Sequence, residues 1–156
     1  MIWEQKFDEI DTFEAFYKNF FYKNSVLVIP YINIGVSCHP INPSKKALYI
    51  DKSYLVFINA CINKINGVLD KKCDQFVGSN FNSIDISGID CTENRHIALQ
   101  IFYERAFLQL LPESRLSREF WIPQKTPNFE VNMDEKDVEF FFSNKHMPEN
   151  IKKLIG

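Results

Sequence analysis

Glycine is scarce in this chain, with five residues in 156. Loops that cradle a phosphate on bare backbone need glycines close together. No glycine-rich phosphate loop and no nucleophile elbow can be read in it. Histidine is scarcer still, at three residues, and the spacing is not that of a paired-histidine metalloprotease helix. A basic excess is missing as well: 18 basic against 20 acidic side chains leave a formal net charge of -2, which argues against a nucleic-acid binder. The longest apolar runs are strand-sized and fall well short of the roughly 20 residues that span a bilayer as a helix. The first residues, Met1-Ile2-Trp3-Glu4-Gln5-Lys6-Phe7-Asp8, carry acids where an export signal would be basic and then apolar. These absences lead to the expectation of a soluble, cytoplasmic protein with no membrane or direct nucleic-acid partner. In a reducing cytosol its four cysteines, Cys38, Cys61, Cys73 and Cys91, are expected to be free.

Apolar and aromatic side chains, by contrast, are plentiful. Hydrophobic residues make up 46% and aromatics 15%, with 15 phenylalanines. A globular chain of this length buries roughly 70% of the surface it exposes unfolded, so it needs no metal or disulfide to be stable. Residues 1–156 are expected to form a single compact domain with aromatic side chains in its core.

Patterning then suggests the elements. Phe13, Phe16, Tyr17, Phe20 and Phe21 recur at helical spacing, with Asp11 and Glu14 placed as a capping box, and this predicts an N-terminal helix that faces the core. Ser25 to Val36 reads as a strand with Pro30 at an edge, bulge or bend. Leu48 to Asp51 and Ser53 to Ile65 continue the strands, and Asn66-Gly67 signals a tight turn. Ile84 and Ile86 suggest a further short strand. Arg95 to Leu111 fits both periods; the strand reading, with a break near Glu104-Arg105, is preferred to a helix capped by Asn94. Arg118 to Ile122 alternates as a strand. Asn132 and Glu135 form a plausible capping box for a helix from Met133 to about Asn144, and another short helix starts at Pro148. The expected fold class is therefore α+β: a mainly antiparallel sheet with an N-terminal helix and one or two C-terminal helices.

Candidate chemistry is thin. Cys38-His39 could supply a thiol and a base, but adjacent side chains on an extended segment point apart. Cys38, His39, Cys91 and His96 could in principle meet around zinc, although small buried thiols and loop histidines are the simpler account. Asp85, Asp90 and Glu93 share a polar stretch without a legible cleft, and Asp51, Asp70 and Asp74 read as turn residues. No catalytic, cofactor-binding or metal-binding residue is assigned. Large amphipathic side chains instead suggest a contact surface. Trp121 alternates against Phe120 and Ile122, and Tyr31 shares a strand face with Asn33. The C-terminal stretch from Thr126 carries Glu130, Asp134, Glu135, Asp137, Glu139 and Glu149 against four lysines, which suits a basic partner. Trp121, Tyr31, Asn33, Asp134, Glu135 and Asp137 are thus the candidate interface residues.

The runs Val28-Ile29-Pro30-Tyr31-Ile32-Asn33-Ile34-Gly35-Val36-Ser37 and Tyr49-Ile50-Asp51-Lys52-Ser53-Tyr54-Leu55-Val56-Phe57 resemble small bacterial immunity proteins of contact-dependent growth inhibition systems. So do Tyr103-Glu104-Arg105-Ala106-Phe107-Leu108-Gln109-Leu110-Leu111-Pro112 and Phe120-Trp121-Ile122-Pro123. These segments cover less than half of the chain. The likeness is one of general style, an aromatic-, Asn- and Lys-rich chain without catalytic motifs, and it carries over no residue position by position. The resemblance implies a cytoplasmic, non-enzymatic protein that binds the toxic C-terminal domain of a cognate effector, often a nuclease, and occludes its active site or an exosite. The alternative is a small enzyme or ligand-binding α+β domain with its pocket between sheet and helix.

Overall fold

The computed structural model describes residues 2–4, 10–13, 15–36, 49–69, 82–92, 95–117 and 134–156. Branched and aromatic residues dominate the middle of the chain, and there one strand follows another. In order they are β1 (Ile2–Glu4), β2 (Phe16–Tyr17), β3 (Phe21–Lys23), β4 (Val26–Ile32), β5 (Ile34–Gly35), β6 (Tyr49–Ile50) and β7 (Ser53–Ile58). There follow β8 (Cys61–Ile65), β9 (Val68–Leu69), β10 (Asn82–Asp90), β11 (Arg95–Tyr103), β12 (Arg105–Leu110) and β13 (Leu116–Ser117). Two short helices close the chain, α1 (Glu135–Phe142) and α2 (Glu149–Ile155). The architecture is a large mixed sheet with two C-terminal helices. A smaller sheet is made by β13, β6 and β5.

Two long runs organise the large sheet. β7 and β8 are interrupted at Asn59 and Ala60, and β11 and β12 at Glu104. The runs pair antiparallel on both sides of these breaks, with Ile58 opposite Arg105 and Cys61 opposite Phe102. Glu104 N donates to the Ile58 carbonyl at 3.1 Å, and Ala60 N to the Ser25 carbonyl at 2.7 Å. β4 lies outside β7 and pairs in turn with β2; β2 runs parallel to β10, and β10 pairs with β11. Since β11 leads directly into β12, the pairing returns to the run from which it set out, and the sheet curls back on itself. Alternation sends Leu27 and Ile29, Leu55 and Phe57, and Ala106 and Leu108 to the inside of the curl. Phe57 meets Tyr103 edge-on at 5.1 Å there, and Tyr17 meets Tyr31 at 5.6 Å.

The opposite face of β4, β7 and β12 is covered by the helices. Val28, Val56 and Phe107 form one cross-strand row, and Pro30, Tyr54 and Gln109 the next. Tyr54 packs on Phe141 at 5.1 Å, and Gln109 exchanges two amide hydrogen bonds with Asn150 of α2, at 2.7 and 3.1 Å. Side chains from the β2–β4 region also finish the helices. Asn19 Nδ2 donates to the Phe142 carbonyl at 3.0 Å, and Asn24 Nδ2 to that of Ile155 at 2.5 Å. These are last-turn carbonyls that a helix cannot satisfy by itself.

The shortage of glycine is met by asparagine. Apart from Ser25, every non-glycine residue at positive φ among the described residues is an asparagine: Asn19, Asn24, Asn33, Asn59, Asn66 and Asn144. Asparagine tolerates the left-handed region better than other chiral residues. Asn24-Ser25 and Asn66-Gly67 are two-residue hairpin loops with positive φ at both positions, joining β3 to β4 and β8 to β9.

The expected N-terminal helix is absent, so the α+β description that includes it is corrected. The aromatic stripe is divided instead. Phe16 and Tyr17 form β2 and are buried, whereas Phe13, Phe20 and Phe21 are exposed. The Asp11 carboxylate accepts from Phe13 N at 2.9 Å, as a helix cap would, but it closes a turn whose backbone is bridged to Gly35. Helix propensity is modest for Phe, Tyr and Asn, and Asn19 adopts φ 57°, which no helix accommodates. Sheet pairing with β4 and β10 then outweighs the 3.6-residue pattern.

Elsewhere the strand readings hold at β4–β5, β6, β7–β8, β10 and β11–β12, with the break in the last run at Glu104. The C-terminal helices form where the pattern placed them, although Asp134 rather than Asn132 caps α1, accepting from Lys136 N at 3.0 Å. The strand expected at Arg118 to Ile122 lies outside the described residues. The expectation of free cysteines is corrected: among the described residues Cys61 is disulfide-bonded, while Cys91 is free. Spacing and density along a chain carry no information about the Cα separation that a bridge requires.

Candidate functional site

A cleft of mixed chemistry lies between α1 and the turn that follows β12. Its volume is about 480 Å³, within the range of roughly 300–1,000 Å³ usual for ligand sites. The α1 wall follows from helical periodicity. Val138, Phe141 and Phe142 form the buried stripe. Phe140 is one position out of phase, so it stands 48% exposed, one turn from Asp137 on the same side. The ring of His146, just beyond the helix, lies against Phe140 at 4.4 Å. Tyr54 and Phe141 supply aromatic surface deeper in, and Leu111, Pro112, Glu113 and Lys52 form the facing wall.

That wall is pinned by a buried carboxylate. Asp51 is 1% exposed. Its Oδ1 accepts from Lys52 N at 2.7 Å and Arg115 N at 2.6 Å, and its Oδ2 from Arg115 Nε at 3.2 Å. Ser114 Oγ donates to the Lys52 carbonyl at 2.5 Å and accepts from Leu111 N at 3.1 Å. These bonds tie residues 111–115 to the β6–β7 turn and set where Glu113 stands. Lys52 Nζ lies 3.8 Å from Glu113 Oε1, a loose pair that leaves Glu113 57% exposed. Burial, and then the neighbouring Glu113 carboxylate, push the Tyr54 hydroxyl up to about 12, so it remains a neutral group at physiological pH.

Charge is uneven around the cleft. Asp134, Glu135, Asp137 and Glu139 are all exposed on or beside α1, where acids near a helix N-terminus are favourable. Lys136 and Lys145 are the exposed cations of the same stretch. The rim combines an exposed aromatic ring with an excess of carboxylates.

The residues singled out from sequence are distributed unevenly. Asp137 lines the cleft, and Asp134 and Glu135 lie on its exposed approach. Tyr31 is fully buried and Asn33 is 1% exposed, so both belong to the interior of this fold and offer no contact surface. Their alternating strand shows only one period-2 pattern, yet both of its faces are covered. Trp121, Cys38, His39 and Glu93 lie outside the described residues. His96 is exposed on β11, where its ring stacks on Phe13 at 5.6 Å. Burial, and then the Asp90 carboxylate, push the Cys91 thiol up to about 12, which leaves it protonated and a poor nucleophile. Among the described residues no group of three His, Cys, Asp or Glu side chains is placed to hold a metal ion.

Sequence reasoning missed Phe140, His146, Tyr54 and the Asp51 clamp. Phe140 had a signal, since three successive phenylalanines cannot all face inward on one helix. Asp51 had none, because the Arg115 groups that bury and pin it lie more than sixty residues away. Comparison with protein-family models, curated proteins and solved structures gives no match for this chain.

Proposed function

We propose that this is a non-enzymatic binding protein that neutralises the toxic domain of a cognate contact-dependent growth inhibition effector by covering its active site or an exosite. The observation that supports this reading best is the cleft beside α1, where a half-exposed Phe140 shares the lining with the Asp137 and Glu113 carboxylates. A rigid aromatic anchor with a charged rim is the usual composition of a protein-binding hot spot, and an acidic rim steers encounter with a basic surface such as that of a nuclease. The resemblance of the strand segments to immunity proteins points the same way.

The experiment is direct. The gene immediately upstream is expected to encode a large exported effector, and the C-terminal domain of its product is co-expressed with the protein while growth and complex formation are measured. Growth rescue together with a tight complex is expected, and both are expected to weaken in the Asp137→Lys and Phe140→Ala variants. A toxin that kills unhindered, with no complex, would overturn the reading.

Among the described residues no helix is long and apolar enough to cross a membrane. We place the action in the cytoplasm, where the disulfide at Cys61 would be held reduced. Alkylation of thiols in intact cells followed by mass spectrometry checks this. A fully oxidised Cys61 would move the protein to an oxidising compartment. A second reading, a small enzyme or ligand-binding domain, is favoured by one fact: the cleft lies between sheet and helix and has the size of a small-molecule site. Ligand-induced thermal stabilisation in a metabolite screen, lost in Tyr54→Ala, would support it over the first.

A further inference from the structure

The cleft brings together flat aromatic rings and carboxylates, with the Lys52 ammonium loosely paired to one of them. Tyr54, Phe140 and Phe141 supply the first, Asp137 and Glu113 the second. An apolar ligand would have to desolvate the carboxylates without repayment. A plain ammonium would satisfy the charge and gain cation–π attraction, but it can neither stack flat on a ring nor fork two donors to one carboxylate. A guanidinium satisfies both, because it is planar, stacks on aromatic faces, and forks two N–H donors to a carboxylate.

We infer that the cleft between α1 and the 111–115 turn is an arginine pocket that receives one guanidinium of the partner protein. This rests on the reading of the cleft as a protein-docking site and names the partner side chain that anchors there. Phe140 keeps about half its surface free with His146 against it, so ring area remains for stacking. No ion pair or hydrogen bond engages the Asp137 carboxylate among the described residues. Glu113 is engaged only loosely by Lys52, and with more than half its side chain exposed it can take a second donor. The Asp51 clamp ties the turn that carries Glu113 to the β6–β7 turn, which preorganises one wall of the pocket. The Tyr54 hydroxyl, neutral at physiological pH, adds a further hydrogen-bonding group at depth.

The test uses the whole protein, isotope-labelled, and amide chemical shifts. N-acetyl-arginine amide is titrated in, with N-acetyl-lysine amide and N-acetyl-glutamate amide in parallel. Saturable shifts centred on Tyr54, Glu113, Asp137 and Phe140 are expected with the arginine probe, about fivefold tighter than with lysine and absent with glutamate. Asp137→Asn, which keeps shape and loses charge, is expected to weaken the arginine probe about tenfold. Phe140→Ala is expected to abolish the preference for arginine over lysine. Both positions are exposed, so the fold is retained, and an unchanged far-ultraviolet spectrum verifies it. The pocket is refuted if arginine gives no saturable shift at these residues, binds elsewhere, or binds no better than lysine. If a toxin complex forms while the probe fails, the arginine assignment falls and the binding function stands; the converse result removes the function and leaves the pocket.

Discussion

β4 and β10 belong to the same curled sheet, and their sequences could hardly differ more. β4 reads Val-Leu-Val-Ile-Pro-Tyr-Ile and is buried at every position, whereas β10 reads Asn-Ser-Ile-Asp-Ile-Ser-Gly-Ile-Asp and buries only Ile84, Ile86 and Gly88. The difference is one of cover. Strand β4 has the interior of the curl on one face and the helix layer on the other, while β10 has the interior on one face and solvent on the other. A strand covered twice reads as a continuous apolar run, and a strand covered once alternates. The two halves of one sheet thus solve different problems, and the cleft lies at the edge of the doubly covered half, where α1 meets the turn after β12.

Substitutions sharpen that contrast. The largest effect is expected inside the doubly covered half: Phe57→Ala removes a fully buried ring packed on Tyr103 and should cost about 3–5 kcal/mol in urea unfolding. Next comes the clamp. Asp51→Ala leaves the Arg115 N–H and Lys52 N–H without their acceptor and should cost about 2–3 kcal/mol by the same assay, with loss of any binding at the cleft. Gly88→Ala tests where the singly covered half is tight after all. A Cβ there would lie 2.9 Å from Tyr17 Cδ1 and 3.2 Å from the Ala15 carbonyl, and about 1–3 kcal/mol of overpacking is expected. At the other end of the scale, Ser83→Ala on the wet face of β10 should shift stability by no more than about 0.5 kcal/mol. A large loss at Ser83 would break the comparison.

Alkaline pH offers a milder probe. Burial raises the hydroxyls of Tyr17, Tyr31 and Tyr54 above the ordinary value of 10.0. Above that value the unfolded chain has lost protons that the folded chain retains, so the unfolded state binds fewer and stability falls as pH rises. The contribution of Tyr54 is fully present below pH 10 and lost as pH passes about 12. A denaturant midpoint that falls between these values, and falls less steeply in Tyr54→Phe, is the expected result. A flat profile would place these hydroxyls in contact with water.

Much of the strand framework could be read in advance, since period-2 alternation and the Asn66-Gly67 turn are local signals. The acidic run around Asp137 was legible too, because charge is written in composition. The cleft itself was not, since Lys52, Glu113 and Phe140 meet only through the pairing of distant strands. The N-terminal aromatic stripe shows why pattern can mislead. Phe13, Phe16, Tyr17, Phe20 and Phe21 satisfy a helical period as written, yet that period presumes one buried face, and here Phe16 and Tyr17 are buried on adjacent positions of a two-residue strand.

Local pattern alone was enough to show that the chain would fold around branched and aromatic strands, that Asn66-Gly67 is a tight turn, and that the chain would end in helices within an acidic stretch. Those properties depend on neighbours within a few positions. Tertiary structure was needed to settle that the first aromatic cluster pairs as strands, that asparagines stand in for missing glycines, that Tyr31 is core rather than contact, and that a buried Asp51 ties one wall of a cleft in place. Each of these turns on which faces become covered and which distant backbone groups find one another, and neither is fixed until the sheet has closed.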